Sequence, residues 1–265
     1  MKVAILIPAR FQSSRYPGKP LVELRGASGV CKPLIQRSYE AALRVAGAHS
    51  VHVVTDDQRI ADCAAAFGAS AVMTSPEARN GTERCAEALQ KLDRPDLIVN
   101  LQGDALLTPP GFVEALIEHM RGDAGTQVAT PAMQLRSAEV RALQAEEAAG
   151  RVGGTSVVAD GAGNALYFSK HLIPHLPHDA LDQELSPVRL HVGVYAYRPD
   201  ALAAYAATPV SELEMLEGLE QLRFLVGGIP IAVVEVATPA FALRELNNPE
   251  DLAPIEAALA EAGLE

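Results

Sequence analysis

The sequence predicts an α/β protein, a mixed sheet flanked by helices with a small antiparallel subdomain. Three observations predict it. Strand and helix patterns alternate through roughly the first hundred residues, as parallel strands joined by right-handed crossovers require. The apolar runs that read as strands each stop at a short polar loop, as buried strands do. Beyond about residue 125 the alternation gives way to shorter, less regular strand-like runs broken by Gly and Pro.

The first strand is V-A-I-L-I (3–7), stopped by Pro8. Residues 21–30, with Gly26 and Gly29, read as turn. Residues 33–46 carry apolar side chains at helical spacing and stop at Gly47. A strand over 50–55 ends at Asp56-Asp57, and an Ala-rich helix over 59–67 is closed by Gly68. A short strand over 71–73 precedes Thr74-Ser75-Pro76, a helix spans 81–92, and a strand spans 97–101. A helix over 112–121, a strand over 128–135 and an acidic surface helix over 137–149 follow. The stretch G-G-T-S-V-V (153–158) leads to strand-like runs over 165–169 and 189–197. An amphipathic helix over 213–226, a strand over 229–236 and a helix over 249–262 complete the order. No repeat, low-complexity segment or flexible linker interrupts it, so residues 1–265 read as one domain.

Ligands of a parallel sheet gather at the carboxyl ends of its strands. Those ends are Pro8-Ala9-Arg10, Thr55-Asp56-Asp57, Thr74-Ser75-Pro76 and Gln102-Gly103-Asp104. After the first comes a loop with three cations, Arg10, Arg15 and Lys19, and the turn pair Pro17-Gly18. Arginine offers a planar fork of donors to phosphate oxygens, lysine a compact point charge, and Gly18 a close backbone approach. A solvated basic loop is the plainer account of any single cation; three within ten residues of an acidic chain favour a phosphate-holding loop. At the last of these ends V-N-L-Q-G-D runs from a buried strand straight into a carboxylate. Beside phosphates, Asp104 suits a magnesium ion, which takes one or two carboxylates plus phosphate oxygens. The plainer account is a turn aspartate before Pro109-Pro110.

The charge balance narrows the partners. The chain carries 33 acidic against 22 basic residues, a formal net charge of -11. That argues against binders of nucleic acid or anionic membranes, both of which need a broad positive field. A local cationic pocket in such a chain points to a small anionic ligand. Cys31, Cys63 and Cys85 show no metal or disulfide spacing and read as reduced and buried. The apolar run at the N-terminus is too short for a signal peptide or a membrane span, which gives a cytoplasmic expectation. Three histidines, His171, His175 and His178, crowd H-L-I-P-H-L-P-H-D (171–179). Pro174 and Pro177 break any helix there, so a solvated loop is favoured over a zinc pair. Glu214 and Glu217 share one face of the 213–226 helix, where a solvated face is the usual account.

Taken together, these blocks resemble the 3-deoxy-manno-octulosonate (Kdo) cytidylyltransferases over nearly the whole chain. The resemblance rests on I-P-A-R-F-Q-S-S-R-Y-P-G-K-P-L (7–21), V-V-T-D-D-Q-R-I-A (53–61), V-M-T-S-P (72–76), N-G-T-E-R (80–84) and V-N-L-Q-G-D (99–104). It continues in A-L-Y-F-S (165–169), H-V-G-V-Y-A-Y (191–197), L-E-M-L-E-G-L-E-Q-L-R (213–223) and N-P-E-D-L (248–252). The first block is shared by many nucleotidyltransferases; the two blocks at 191–197 and 213–223 are more specific.

The resemblance implies a Rossmann-like nucleotidyltransferase fold of the GT-A kind, acting on CTP and a small acidic acceptor with magnesium. It implies a nucleotide-binding half over about 1–125, an acceptor-binding and dimerisation part over about 126–240, and a C-terminal helix over 241–265. A homodimer is expected. Arg10, Arg15 and Lys19 would hold the triphosphate, and Asp104 the metal. Pro8, Ala9, Ser75, Thr82 and Gln102 would surround the nucleotide. Gln102, His191, Tyr195, Glu214 and Glu217 would line the acceptor pocket.

The departures are local. Where the family has a second metal-binding aspartate, in V-D-T-P-E-D-L, this chain has Asn247, which keeps a carbonyl oxygen but loses a charge. Q-G-D-E-P has become Q-G-D-A-L at Ala105 and Leu106, S-G-T-D-R has become N-G-T-E-R, and Ser156 replaces a lysine. Most of these changes alter charge near acceptor or metal, leaving the acceptor open: Kdo, another sugar acid, or a phosphonate. A nucleotide-binding protein without catalysis and a sugar-phosphate nucleotidyltransferase using another base are the alternatives.

Overall fold

A computed structural model describes residues 1–12, 15–104, 106–177, 179–239, 241 and 243–264. Ala105 and His178 lie outside the described residues. Strand β1 (Val3–Ala9) is buried along its length. Its alternate side chains enter two layers: Val3, Ile5 and Ile7 join one apolar cluster, Leu6 the other. Such a strand needs cover on both faces, each buried Ile or Leu contributing roughly 1.5–3 kcal/mol.

The stretch read as turn holds a hairpin, β2 (Glu23–Arg25) and β3 (Cys31–Pro33). Strands of three residues are too short to display a period of two. Then α1 (Leu34–Leu43), β4 (Ser50–Thr55), α2 (Gln58–Ala66), β5 (Ser70–Met73), α3 (Gly81–Leu89) and β6 (Leu97–Leu101) alternate as expected. Asp57 caps α2 by accepting from the Arg59 amide, and Asn80 caps α3 through Glu83. Strands β5, β4, β1 and β6 pair side by side, all parallel.

The second part comprises α4 (Pro110–Gly122), β7 (Val128–Arg136), α5 (Ser137–Ala148), β8 (Ser156–Ala159), β9 (Ala165–Ser169), β10 (Leu185–His191) and β11 (Val194–Tyr197). After these come α6 (Pro199–Ala207), α7 (Glu212–Glu217), α8 (Leu222–Val226), β12 (Ile231–Glu235) and α9 (Leu252–Glu261). Helix α6 is not anticipated by the sequence pattern, because P-D-A-L-A-A-Y-A-A shows little polar face. The single helix expected over 213–226 is two, α7 and α8. Gly218 ends the first in the left-handed region, φ 61°, where a Cβ is strained. That turn drops Glu220 and Gln221 toward the sheet. The cysteines are free, but only Cys85 is buried: Cys63 is half-buried and Cys31, on a short hairpin, is exposed, which corrects the expectation of burial for both.

Among the described residues the ten strands other than β2 and β3 form one sheet in the order β5-β4-β1-β6-β11-β7-β10-β8-β9, with β12 parallel beside β7. The run 189–197, expected as one strand, is β10 and β11 laid end to end against β7. His191 faces Ala132 and Ala196 faces Ala129, so this strand spends two residues more than β7 over the interval. The excess is taken up at Val192-Gly193, where the Val194 amide donates to the Val192 carbonyl at 2.7 Å. Before the bulge the strand pairs with β8; after it, with β6. The bulge residues Val192 and Gly193 line a cleft at that point. Bulges commonly open or re-aim a sheet beside a site in this way. Among the described residues, no helix is long and apolar enough to cross a membrane.

Candidate active site

A cavity of about 1100 Å³ occupies the cleft, walled by the ends of β1 and β6, the start of α3, the bulge, the turn before α8, and residues 243–247. Of the residues expected at a site, Pro8, Ala9, Arg10, Arg15, Lys19, Gln102, Asp104, His191, Tyr195, Glu214 and Asn247 line it. Ser75, Thr82 and Glu217 do not. Thr82 is fully buried with its hydroxyl 2.8 Å from that of Tyr197, and the Ser75 amide is bound by Glu87 at 2.8 Å.

The cationic loop closes on the end of β6. Lys19 Nζ forms an ion pair with Asp104 Oδ2, both side chains largely screened from water. Arg15 Nη2 donates to Asn247 Oδ1 at 2.7 Å, and Asn247 Nδ2 reaches Glu245 Oε2 at 3.5 Å. The close approach of β1 and β6 depends on Gly103: a Cβ there would meet the Pro8 carbonyl oxygen at 2.8 Å. Ser38 of α1 fastens the same turn, donating to the Gly103 carbonyl at 2.8 Å. Gly103→Ala is expected to destabilise the chain by about 1–3 kcal/mol, as overpacking does, and to part Lys19 from Asp104. Thermal unfolding measures the first effect and nucleotide affinity the second.

On the opposite wall, His191 lies between the rings of Phe168 and Tyr195, with centroids at 5.1 and 5.4 Å. Burial pushes its imidazole down to about 3, so it is neutral. Thr130 donates its hydroxyl to the Val194 carbonyl at 2.7 Å and so accepts from His191 Nε2 at 2.9 Å. This assigns the ring proton to Nε2 and leaves Nδ1 with only a lone pair to offer. Tyr195 donates to Gln221 Oε1 at 3.1 Å.

Glu214 and Glu217, expected to point together, part company. Glu214 is held bidentate by the buried Arg223, at 2.5 and 2.7 Å, and still borders the cavity. Glu217 turns to β9, accepting from the Ser169 hydroxyl at 2.8 Å and the Lys170 amide at 3.0 Å, which outweighs burial and holds its carboxyl low. The carboxylate that does face the cleft floor is Glu220, not anticipated from the sequence. It accepts from the Thr82 amide at 3.0 Å and from Gln102 Nε2 at 3.3 Å, and burial, then Glu214, push it up. Glu245 was likewise not foreseen. Its side chain is exposed at the cleft, where the loss of hydration among the surrounding groups, then the charge of Asp104, raise its carboxyl.

The donor set at the end of β6 suits a hard cation. Asp104 and Glu245 bring carboxylates, Asn247 an amide, and the adjoining cations leave room for phosphate oxygens to complete the shell. Among the described residues, no group of three or more His, Cys, Asp or Glu is placed to bind a metal by protein ligands alone. The 171–177 loop fits that picture: His171 is exposed and pairs with Glu147, which raises its imidazole.

The chain matches the family model described as cytidylyltransferase over residues 4–231. It is 40% identical over 264 residues to the 3-deoxy-manno-octulosonate cytidylyltransferase of Maricaulis maris, covering 99% of each chain. It is 41% identical over 263 residues to the 8-amino-3,8-dideoxy-manno-octulosonate cytidylyltransferase of Shewanella frigidimarina, covering 98% of this chain and 99% of that one. The solved structure of CMP:2-keto-3-deoxy-manno-octonic acid synthetase complexed with CTP superposes with a TM-score of 0.84 at 39% identity, over 99% of this chain and 100% of that one. The chain belongs to the cytidylyltransferase family, in the group that includes the 3-deoxy-manno-octulosonate cytidylyltransferases.

Proposed function

We propose that this chain transfers CMP from CTP to a 3-deoxy-2-keto sugar acid such as 3-deoxy-manno-octulosonate, releasing pyrophosphate. The observation that carries the reading is the meeting of Arg10, Arg15, Lys19 and Asp104 on one cavity that also holds an uncharged histidine and a polar floor. In the reaction an acceptor hydroxyl attacks the α-phosphorus and pyrophosphate leaves. Such transfer is governed by alignment and charge neutralisation. Arg10, Arg15 and Lys19 would grip the β- and γ-phosphates and offset the charge gathering on pyrophosphate. Asp104, with Asn247 and Glu245 nearby, would hold magnesium. Bound there, the ion would polarise the α-phosphate toward the incoming oxygen. Gln102, tied to Glu220, would present its free carbonyl to the acceptor or ribose, and His191 Nδ1 would accept from an acceptor hydroxyl.

Pyrophosphate release with CTP, magnesium and each of the two named sugar acids tests this; a folded chain that binds CTP and turns over neither acid overturns it. The division of relatives between the hydroxy and 8-amino acids favours a second reading of the acceptor alone. Direct competition of the two acids decides between them by the ratio of kcat/KM. The same reading takes residues 1–125 as the nucleotide half and 126–240 as the acceptor half of a cytoplasmic homodimer. Its support for assembly is the bare apolar run Leu213, Met215 and Leu216, the last 74% exposed; sedimentation as a monomer counts against it.

A further inference from the structure

We propose that Glu245 supplies the second carboxylate of the magnesium site, and that Asn247 serves to hold Glu245 and Arg15 in place. The proposal rests on the cytidylyl-transfer reading, because the triphosphate provides the remaining oxygens.

The residues around position 247 divide the work clearly. The Asn247 side chain is already engaged on both sides. Its Oδ1 accepts from Arg15 at 2.7 Å, its Nδ2 reaches Glu245 at 3.5 Å, and its backbone amide donates to Asp251 at 2.9 Å. Asp251 also accepts from the Asn248 amide at 2.6 Å, so the stretch is anchored to the turn that opens α9. An amide in that position lies between a cation and an anion, with its carbonyl toward Arg15 and its amino group toward Glu245. A carboxylate there would pair with Arg15 but repel Glu245.

Glu245 is free to reach further. Among the described residues its carboxylate has one hydrogen bond, the long one to Asn247, and it lines the cleft. Its Oε1 stands 3.9 Å from where a Cβ would sit on Gly193, and Gln102 Cγ stands 3.9 Å from the same point. Glu245 thus lies across the bulge from Gln102, two positions before Asp104. The two carboxylates face one cavity and repel each other. A divalent cation between them turns that repulsion into attraction. Arg15 and Lys19 line the same cavity and would hold the triphosphate there, so the site would offer two carboxylates plus phosphate, as magnesium prefers.

The test uses manganese as the probe, titrated into the full chain with saturating CTP and no acceptor, with free manganese read by electron paramagnetic resonance. Glu245→Gln is expected to weaken manganese binding by about 10-fold or more. Glu245→Gln combined with Asn247→Asp is expected to return it to within roughly threefold of the native chain, since the second change restores one carboxylate at the same rim. Native-like manganese affinity in Glu245→Gln overturns the proposal, as does a double variant no tighter than the single one. Circular dichroism of each variant guards against misfolding. If the native chain binds no CTP by calorimetry, the transfer reading and this proposal both fall. If it binds CTP and manganese and Glu245→Gln changes neither, only this proposal falls.

Discussion

Asp104→Asn is expected to lower the rate of pyrophosphate release by about 10²–10³ while leaving the fold intact. The substitution keeps the shape of the side chain and a carbonyl oxygen for Lys19, but it removes the charge that a divalent ion needs. Asp104 and Lys19 form a partly exposed ion pair, with side chains 21% and 15% exposed, so the stability lost with it is modest, about 1 kcal/mol or less. The effect therefore separates: a large fall in turnover, a small fall in melting temperature. Metal affinity measured with CTP present should drop in parallel. A variant that turns over within about threefold of the native chain would remove Asp104 from the chemistry and take the magnesium assignment with it.

Arg223→Met is expected to produce the largest loss of stability. The guanidinium is 1% exposed, holds Glu214 and Glu83 at 2.5 and 2.9 Å, and lies 4.1 Å over the ring of Tyr205. Methionine fills the space but leaves two carboxylates without their partner. Breaking a buried pair from one side costs roughly 3–5 kcal/mol, a fall in melting temperature on the order of 10 °C for a chain of this size. The pH dependence has a definite sign. Burial works to raise the Glu83 carboxyl, but hydrogen bonds from Arg79 and Arg223 outweigh it and hold the group below its ordinary 4.5. Its contribution is present above pH 4.5 and is lost as pH falls through the depressed value. His191 adds a second acid-sensitive step. Kept neutral down to about pH 3 when folded, it takes up a proton only on unfolding between there and 6.5, so stability falls with pH across that range. In Arg223→Met the part due to Glu83 should shrink and the part due to His191 remain, which thermal melts across pH 3–7 resolve. A melting temperature lowered by only a degree or two would show the network to be dispensable.

Much of the site was legible because it sits where chain direction alone puts it. The apolar run of β1 and the V-N-L-Q-G-D end of β6 are adjacent parallel strands, so Arg10 and Asp104 come to one rim by topology. Lys19 follows, because the loop is too short to carry it elsewhere. What the sequence hid depends on turns inside apparently regular stretches. Gly218 reads as a tolerated residue within a helical pattern, and only its left-handed backbone reveals that Glu220, not Glu217, faces the cleft. Glu245 lies in a segment with no periodicity, F-A-L-R-E-L, whose place is set by Leu246 packing against Ile255 and Leu259 of α9. The hairpin of β2 and β3 and helix α6 were missed for opposite reasons, one too short for a pattern and the other too uniformly apolar.

The insertion at Val192-Gly193 carries a further consequence, one of parity. Side chains of a strand alternate, so two additional residues return the strand to the face it left. That is why rings from Phe168 through His191, Tyr195 and Tyr197 to Phe224 run unbroken along one side of the sheet. Removing a single residue there would invert every side chain from Tyr195 onward and strand both tyrosines against the helices behind. Natural length variation at this spot should therefore come in even steps, whatever acceptor the enzyme has been adapted to.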